Sequence, residues 1–111
     1  MSEIVDKPWG HEIRWAINEK YLGKILYIKA GHQLSLQYHE QKDETVYVLE
    51  GALLVKDDTK KVVVLEEGES LRIKPMTIHR FCAPPTHDVK LIEVSTPEID
   101  DVVRIEDDYG R

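Results

Sequence analysis

The sequence predicts a small all-β domain, either a barrel or a sandwich, on three observations. Short segments rich in β-branched and aromatic residues recur along the chain, Gly and Pro residues separate them, and no segment has a convincing helical period. Many short strands within 111 residues are typical of these two architectures. The pattern alone does not choose between them.

The predicted strands follow one another with short turns. In chain order they cover residues 22–30, 33–38, 45–49, 52–56, 61–65, 71–73, 78–82 and 89–95. Gly31 ends the first of them, and Gly51 opens the fourth. Residues 57–60 form a polar turn whose Asp side chains favour tight backbone geometry, so we expect a hairpin there. Residues 98–103 are expected to form only a turn.

Length and charge limit the classes of function. A chain of 111 residues suits one compact domain, which we take as residues 1–111. It contains 15 Lys and Arg against 21 Asp and Glu, a formal net charge of −6. Nucleic acid is therefore not an expected partner, because phosphate backbones need clustered cations. A small phosphorylated ligand stays compatible, since a few local cations are enough.

Cysteine usage and hydropathy predict a cytoplasmic protein. Cys82 is the one cysteine, so no intrachain disulfide is possible, and its neighbours Phe81 and Ala83 favour a buried, unreactive thiol. Charged residues interrupt any early apolar run, and the longest aliphatic run, residues 62–65, is far shorter than the ~20 residues of a membrane span. We expect no signal peptide, no membrane partner and a reducing setting.

Four side chains indicate a metal site. Gln37 and His39 are two apart in a predicted strand, so both project from the same face. Glu44 follows after a short polar bend, and His79 lies in a later strand. If the barrel brings these strands together, the mixed N/O set suits one divalent ion, Zn, Mn, Fe, Co or Ni. Considered alone, either histidine could equally be a core residue held by hydrogen bonds.

The spacing of these side chains within a frame of glycines resembles the two cupin motifs. The first motif is matched by Gly31, Gln37, His39, Glu44 and Gly51, with Gln in place of the first His. The second is matched by Gly68 and residues 74–79, with Lys74 and Met76 in place of the usual Pro and Gly. The resemblance implies a cupin barrel, that is, a double-stranded β-helix or jelly roll. It also implies that the four side chains are the metal ligands.

Three further segments match one family within the cupins. They are Lys-Pro-Trp-Gly at 7–10, Leu-Ser-Leu-Gln-Tyr-His at 34–39 and Arg-Ile-Glu-Asp-Asp-Tyr-Gly-Arg at 104–111. The chain thus resembles the C-terminal isomerase domain of bifunctional mannose-6-phosphate isomerase/mannose-1-phosphate guanylyltransferase, from about residue 5 to the end. The resemblance implies a homodimer as the default assembly. We expect Trp9 and Tyr109 to pack as the terminal segments wrap the barrel.

The resemblance implies a metal-dependent isomerase that interconverts mannose 6-phosphate and fructose 6-phosphate. Lys24 and Arg104 stand where the family has the same residue type, and Lys42 stands where it has Arg. We expect these three cations to bind the sugar phosphate, although each is otherwise an ordinary surface charge. Arg80 and Arg111 are weaker candidates.

The general base is not assigned by the sequence. By residue type, His32, Lys42 and Glu93 are candidates. Glu93 alternates with Leu91 in a predicted strand and is expected to face inward. A structural carboxylate with hydrogen-bond partners explains the same position.

Two other functions stay open beside the isomerase. Thr45-Val46 replaces the family's His-Trp pair, which suits a small module that holds metal and sugar without turnover. A different metal enzyme, an oxygenase or an epimerase, is the other alternative. Gln37 argues against an iron oxygenase, because the common cupin ligand set has three His and one Glu. We favour an enzyme over a binding module.

Overall fold

The computed structural model of the chain describes residues 2–110, which fold as β-strands without a helix. The all-β prediction is confirmed, and no helix that could cross a membrane occurs in this range. The strands are β1 (Glu3–Lys7), β2 (Gly10–Ile17), β3 (Leu22–Ile28), β4 (Leu36–Tyr38), β5 (Glu44–Glu50), β6 (Leu53–Lys56), β7 (Val62–Leu65), β8 (Ser70–Ile73), β9 (Arg80–Cys82), β10 (Val89–Ser95) and β11 (Val103–Glu106).

The strands form two layers around one core. The first layer is a six-stranded sheet in the order β1-β2-β3-β10-β5-β8. The second contains the pairs β11-β4 and β7-β6-β9, and isolated bridges from Gln33 to Cys82 and from Gln37 to His79 connect β4 to the β9 segment. Buried apolar side chains of both layers, such as Val46 and Phe81, belong to one cluster. Their burial is the main stabilising contribution.

Three strands, β1, β2 and β11, lie outside the predicted set. Their side chains are mostly exposed or half-buried, so they carry little apolar alternation. In β2 the inward positions are filled by Glu12 and Arg14, which line a polar cavity rather than the core. Residues 98–103 do contain a turn, but β11 begins at its end. Strands β4 and β9 are shorter than predicted, because Gln33 and His79 pair only through isolated bridges.

The predicted hairpin is present. Strands β6 and β7 pair antiparallel from Leu53–Leu65 to Lys56–Val62. In the turn, the Asp57 carboxylate accepts hydrogen bonds from the backbone N–H groups of Thr59 and Lys61. These bonds, like those of other Asx turns, replace backbone pairing that the turn cannot provide.

The single thiol is buried, as predicted. Cys82 lies in β9, and its Sγ is 3.2 Å from Gln33 Oε1 in a hydrogen bond. Burial raises the pKa of the Cys82 thiol, which keeps it protonated and weakly nucleophilic near neutral pH.

Both terminal segments pack against the barrel. Trp9 is a fully enclosed member of the core cluster, and Tyr109 packs against that cluster. These contacts agree with the packing role expected for the two aromatic residues. Arg111, a weaker substrate-binding candidate, lies outside the described residues.

The outer face of the six-stranded sheet carries an apolar row. Ile13, Ile25, Ile92 and Tyr47 are successive cross-strand neighbours on β2, β3, β10 and β5. Tyr47 is exposed and the three isoleucines are half-buried. The homodimer stays a prediction.

Candidate metal centre

Backbone pairing brings the proposed ligands together. Gln37 lies in β4 and His39 directly follows that strand, while His79 directly precedes β9. Gln37 and His79 exchange two backbone hydrogen bonds, with N–O distances of 2.9 and 2.8 Å. Glu44, the first residue of β5, reaches the same place from the six-stranded sheet. The strands that carry the two histidines therefore lie side by side, as the sequence argument required.

The side chains of His39, Glu44 and His79 point toward one another. Glu44 Oε1 is 3.4 Å from His39 Nε2 and 3.3 Å from His79 Nε2. One ligand atom from each of the three residues lies within 4.8 Å of the others. Their exposed fractions are only 3% for His39, 2% for Glu44 and 2% for His79. This spacing and enclosure suit one ion held between them.

The atoms that face one another lack hydrogen bonds within the described residues, although Lys42 Nζ forms an ion pair with Glu44 Oε2 at 3.3 Å. Among residues 2–110, no hydrogen bond reaches Nε2 of His39, Nε2 of His79 or either carboxylate oxygen of Glu44, and all four atoms are buried. Each orphaned buried polar group costs about 1–3 kcal/mol. A divalent cation would satisfy all of them together, so the residues present fit a metal.

Hydrogen bonds on the far side of each imidazole fix its tautomer. His39 Nδ1 is 2.5 Å from the carbonyl oxygen of Asp101, and His79 Nδ1 is 2.9 Å from that of Thr77. A carbonyl only accepts, so each Nδ1 carries a proton, and in the neutral imidazole Nε2 keeps the lone pair that can bind a metal. Metal-binding histidines are typically oriented in this way.

Electrostatics keep the Glu44 side chain ionised. Burial raises the pKa of Glu44, but hydrogen bonds donated by the His39 and His79 imidazoles in their protonated form, together with the ammonium of Lys42, lower it well below its ordinary range. An anionic carboxylate with two neutral imidazoles is a common donor set for transition metals.

Comparison with known proteins identifies the family. Residues 1–107 match the family described as "Mannose-6-phosphate isomerase C-terminal". The chain belongs to this family. It is 33% identical to the alginate biosynthesis protein AlgA of Pseudomonas aeruginosa over 96% of its length, and 37% identical to the mannose-1-phosphate guanylyltransferase ManC of Salmonella typhimurium over 100%. It spans 23% and 24% of these two relatives, about a quarter of each.

Solved structures agree on the fold. The cupin-2 domain protein Rru_A2000 of Rhodospirillum rubrum matches with a TM-score of 0.80 at 13% identity, over 93% of this chain and 74% of that one. The fold predicted for this mannose-6-phosphate isomerase C-terminal domain, a cupin or double-stranded β-helix, is confirmed.

Gln37, the fourth proposed ligand, faces the same cavity. Its Oε1 accepts a hydrogen bond of 2.6 Å from the hydroxyl of buried Ser35. An amide oxygen has two lone pairs, so this bond leaves one for an ion. The ligand role of Gln37 stays a prediction, as do those of His39, Glu44 and His79.

A cavity of about 360 Å³ opens over the candidate metal centre of this isomerase-family domain. Its wall includes His39 and Glu44 of the centre, and the three cations predicted to bind substrate: Lys24, Lys42 and Arg104. His32 and Arg80 are not among its lining residues. Arg80 instead donates to the Leu34 carbonyl and pairs with acidic residues near the C-terminal end.

A buried Lys links the metal centre to a second carboxylate. Lys42 Nζ is 3.3 Å from Glu44 Oε2 and 3.2 Å from Glu93 Oε2. Burial would lower the pKa of Lys42, but the two carboxylates outweigh it and raise the value. Burial and the Glu44 carboxylate raise the pKa of Glu93 to about 7, against the opposing effect of Lys42 and Lys24. Glu93 faces inward, as its alternation with Leu91 indicated.

Asp101 is a supporting residue that the sequence argument missed. Its carboxylate accepts the backbone N–H groups of residues 40, 41 and 42, and its carbonyl accepts Nδ1–H of His39. Burial raises the pKa of Asp101, but these N–H donors outweigh it, so the pKa is lowered. No local pattern marks the residue, because its partners are about 60 positions away.

The turn before His79 keeps a glycine conformation without a glycine. Met76, which stands where the cupin motif has Gly, has a φ of 67°. Its N–H donates to the carbonyl oxygen of His39 at 2.6 Å, so the turn directly contacts the metal centre. A residue with a Cβ in this left-handed region is strained by about 1–2 kcal/mol.

Replacing Met76 by Gly should therefore stabilise the protein. We expect Met76→Gly to raise the free energy of unfolding by about 0.5–1 kcal/mol, because relief of strain exceeds the extra entropy lost by Gly. Met76 is 62% exposed, so little packing is lost. Urea unfolding measures the change. Thr77→Gly, at an exposed neighbour without positive φ, should instead destabilise, and a destabilised Met76→Gly would contradict the interpretation.

Proposed function

We propose that this chain is a metal-dependent sugar-phosphate isomerase that interconverts mannose 6-phosphate and fructose 6-phosphate. The observation that carries the proposal is the buried His39, Glu44 and His79 group, whose facing Nε2 and Oε1 atoms lack hydrogen bonds, beside a cavity whose lining includes several cations. Membership of a family described as mannose-6-phosphate isomerase C-terminal supports the same reaction. The full activities of the longer relatives do not transfer by themselves, since this chain spans a quarter of them.

The reaction moves a proton between C1 and C2 of the sugar while the carbonyl and hydroxyl oxygens exchange roles. A divalent ion held by His39, Glu44 and His79, with Gln37, would supply Lewis-acid stabilisation of the negative charge that develops on those oxygens. The protein must also supply a group that accepts and returns the proton. Glu93 is our assignment, because its carboxylate lines the cavity next to Lys42.

The cations would bind and orient the substrate. Lys42 has three N–H donors, and its two carboxylate partners leave one for a sugar oxygen. Arg104, in β11, stands opposite Gln37 on β4 and lines the cavity rim. A guanidinium there suits a phosphate or a hydroxyl pair, because its donors form a planar fork. A cytoplasmic location goes with this proposal, since phosphorylated sugars are intracellular metabolites.

The test is direct assay of mannose 6-phosphate and fructose 6-phosphate interconversion by the metal-loaded protein. We expect turnover, and we expect it to disappear in metal-stripped protein and in His39→Ala. The matched control is His11→Ala, since His11 stacks on Tyr27 away from the cavity and should keep activity.

Other results separate the alternatives. Stoichiometric metal with bound sugar phosphate but no turnover would replace the isomerase with a binding module. Oxygen consumption with iron, or epimerisation of another sugar, would assign a different metal enzyme.

A further inference from the structure

A second group of charges lies in the same cavity, away from the metal centre. Three cations surround one carboxylate, that of Glu12. Lys7 Nζ is 3.6 Å from Glu12 Oε1, and Arg14 Nε and Lys24 Nζ are 3.0 and 3.2 Å from Glu12 Oε2. We call these four residues the Glu12 cluster. All four line the cavity.

The sheet register holds the Glu12 cluster together. Lys7 ends β1, Glu12 and Arg14 lie on β2, and Lys24 lies on β3 directly opposite Arg14. Glu12 and Lys24 are only 4% and 8% exposed, so the cluster is built into the wall rather than spread over the surface. Two like charges directly opposite on neighbouring strands are destabilising unless an anion lies between them.

The charges of the Glu12 cluster do not balance. In the ion pairs within this cluster, three cations share the buried carboxylate of Glu12. Arg14 also lies 3.8 Å from exposed Glu3, and Glu93 stands opposite Lys24 on the neighbouring strand. At the metal centre the balance is reversed, since Lys42 alone lies between two carboxylates. An excess of one sign in a partly enclosed site is costly without a counter-ion. The positive end of the cavity therefore suits an anionic ligand.

We propose that Lys7, Arg14 and Lys24 form an anion subsite that binds the phosphate group of the substrate, while the carbonyl end of the sugar lies at the metal centre. The assignment of the anion to a sugar phosphate rests on the proposed function, whereas the anion subsite itself does not. Glu12 gathers the three cations and leaves an excess of positive charge directed into the cavity.

The distance between the Glu12 cluster and the metal centre supports this orientation of the substrate. Lys24 on β3 is directly opposite Glu93 on β10, and β10 is the neighbour of β5, which carries Glu44. Two strand spacings separate β3 from β5, roughly 10 Å. A hexose phosphorylated on its last carbon has a similar separation between its phosphate and its C1–C2 end. The carboxylate of Glu93 would then lie along the sugar.

The test uses inorganic phosphate as the probe in calorimetric titrations of the metal-loaded protein. We expect Arg14→Gln to weaken phosphate binding about tenfold to a hundredfold, the loss of one charge-assisted contact. Lys7→Gln is a second variant with the same expectation. Lys20→Gln makes the same charge change on an exposed turn and should leave binding unchanged.

Each outcome decides the inference. Phosphate that binds equally well to Arg14→Gln, Lys7→Gln and Lys20→Gln would overturn it, and so would no phosphate binding. Assays with mannose 6-phosphate separate it from the isomerase proposal. Active enzyme with an unchanged KM in Arg14→Gln removes only the subsite, whereas Arg14-dependent phosphate binding without isomerisation removes only the assigned reaction.

Discussion

Removal of the divalent ion by a chelator is expected to lower the melting temperature by roughly 15 °C or more. The buried Nε2 atoms of His39 and His79 and Oε1 of Glu44 then have no hydrogen-bond partner among the described residues. An ion present at a thousand times its dissociation constant stabilises the folded state by about 4 kcal/mol. For a domain of this size, each kcal/mol shifts the melting temperature by about 4–8 °C. Calorimetry of loaded and chelated protein measures the difference.

The loss of melting temperature on chelation should depend on the proposed metal ligands. His79→Ala should melt at the same temperature with and without metal, because a ligand is missing. His11→Ala, which loses only a stacked ring on Tyr27, should keep the full difference. If chelation leaves the wild-type melting temperature unchanged, the buried group is a structural cluster and the metal assignment is wrong.

Glu93→Gln should lower kcat for the proposed isomerisation about 10²-fold to 10⁴-fold, the usual contribution of a positioned general base. The amide keeps the shape of the side chain but cannot accept the proton. Glu93 reaches the centre only through Lys42 and Glu44, so the metal content should stay stoichiometric. Stopped assays with metal analysis of the same samples measure both quantities.

A Glu-to-Gln substitution on the surface is the control for the loss of one negative charge. Glu50→Gln, at the exposed end of β5, removes the same charge away from the cavity and should leave kcat unchanged. A Glu93→Gln enzyme with wild-type kcat would show that the carboxylate is structural. Loss of metal in Glu93→Gln would show that the Glu93 carboxylate supports the metal centre rather than accepting a proton from the substrate.

The sequence predicted the parts of the fold in which apolar alternation faces the core. Strands β5 and β10 alternate clearly, so their existence and their inward residues followed from periodicity. The two-residue spacing of Gln37 and His39 predicted that they share a face, whereas the full ligand set with Glu44 and His79 was implied by the resemblance to the cupin motifs and stays a prediction. Strand β2 was missed for the opposite reason, since its inward side chains are charged and line a cavity.

The remaining features depend on register, which local patterns do not contain. Lys7 and Arg14 look like scattered surface charges until the pairing of β1, β2 and β3 places them with Lys24 around Glu12. The turn at Met76 shows a different limit. The sequence shows that Gly is replaced there, but not that the surrounding hydrogen bonds hold the glycine conformation at the cost of local strain.

Because Asp101 orients His39 from 62 residues away, the candidate centre is completed only when this later segment of the domain packs back against His39. Contacts of such long sequence separation form late, since the loop they close must first lose its entropy. A growing chain on the ribosome already carries all the ligand side chains, but it has no fixed imidazole and no ordered loop at residues 40–42. We therefore expect high affinity for an ion only once Asp101 has packed against this loop, so that loading would follow folding of the domain rather than guide it.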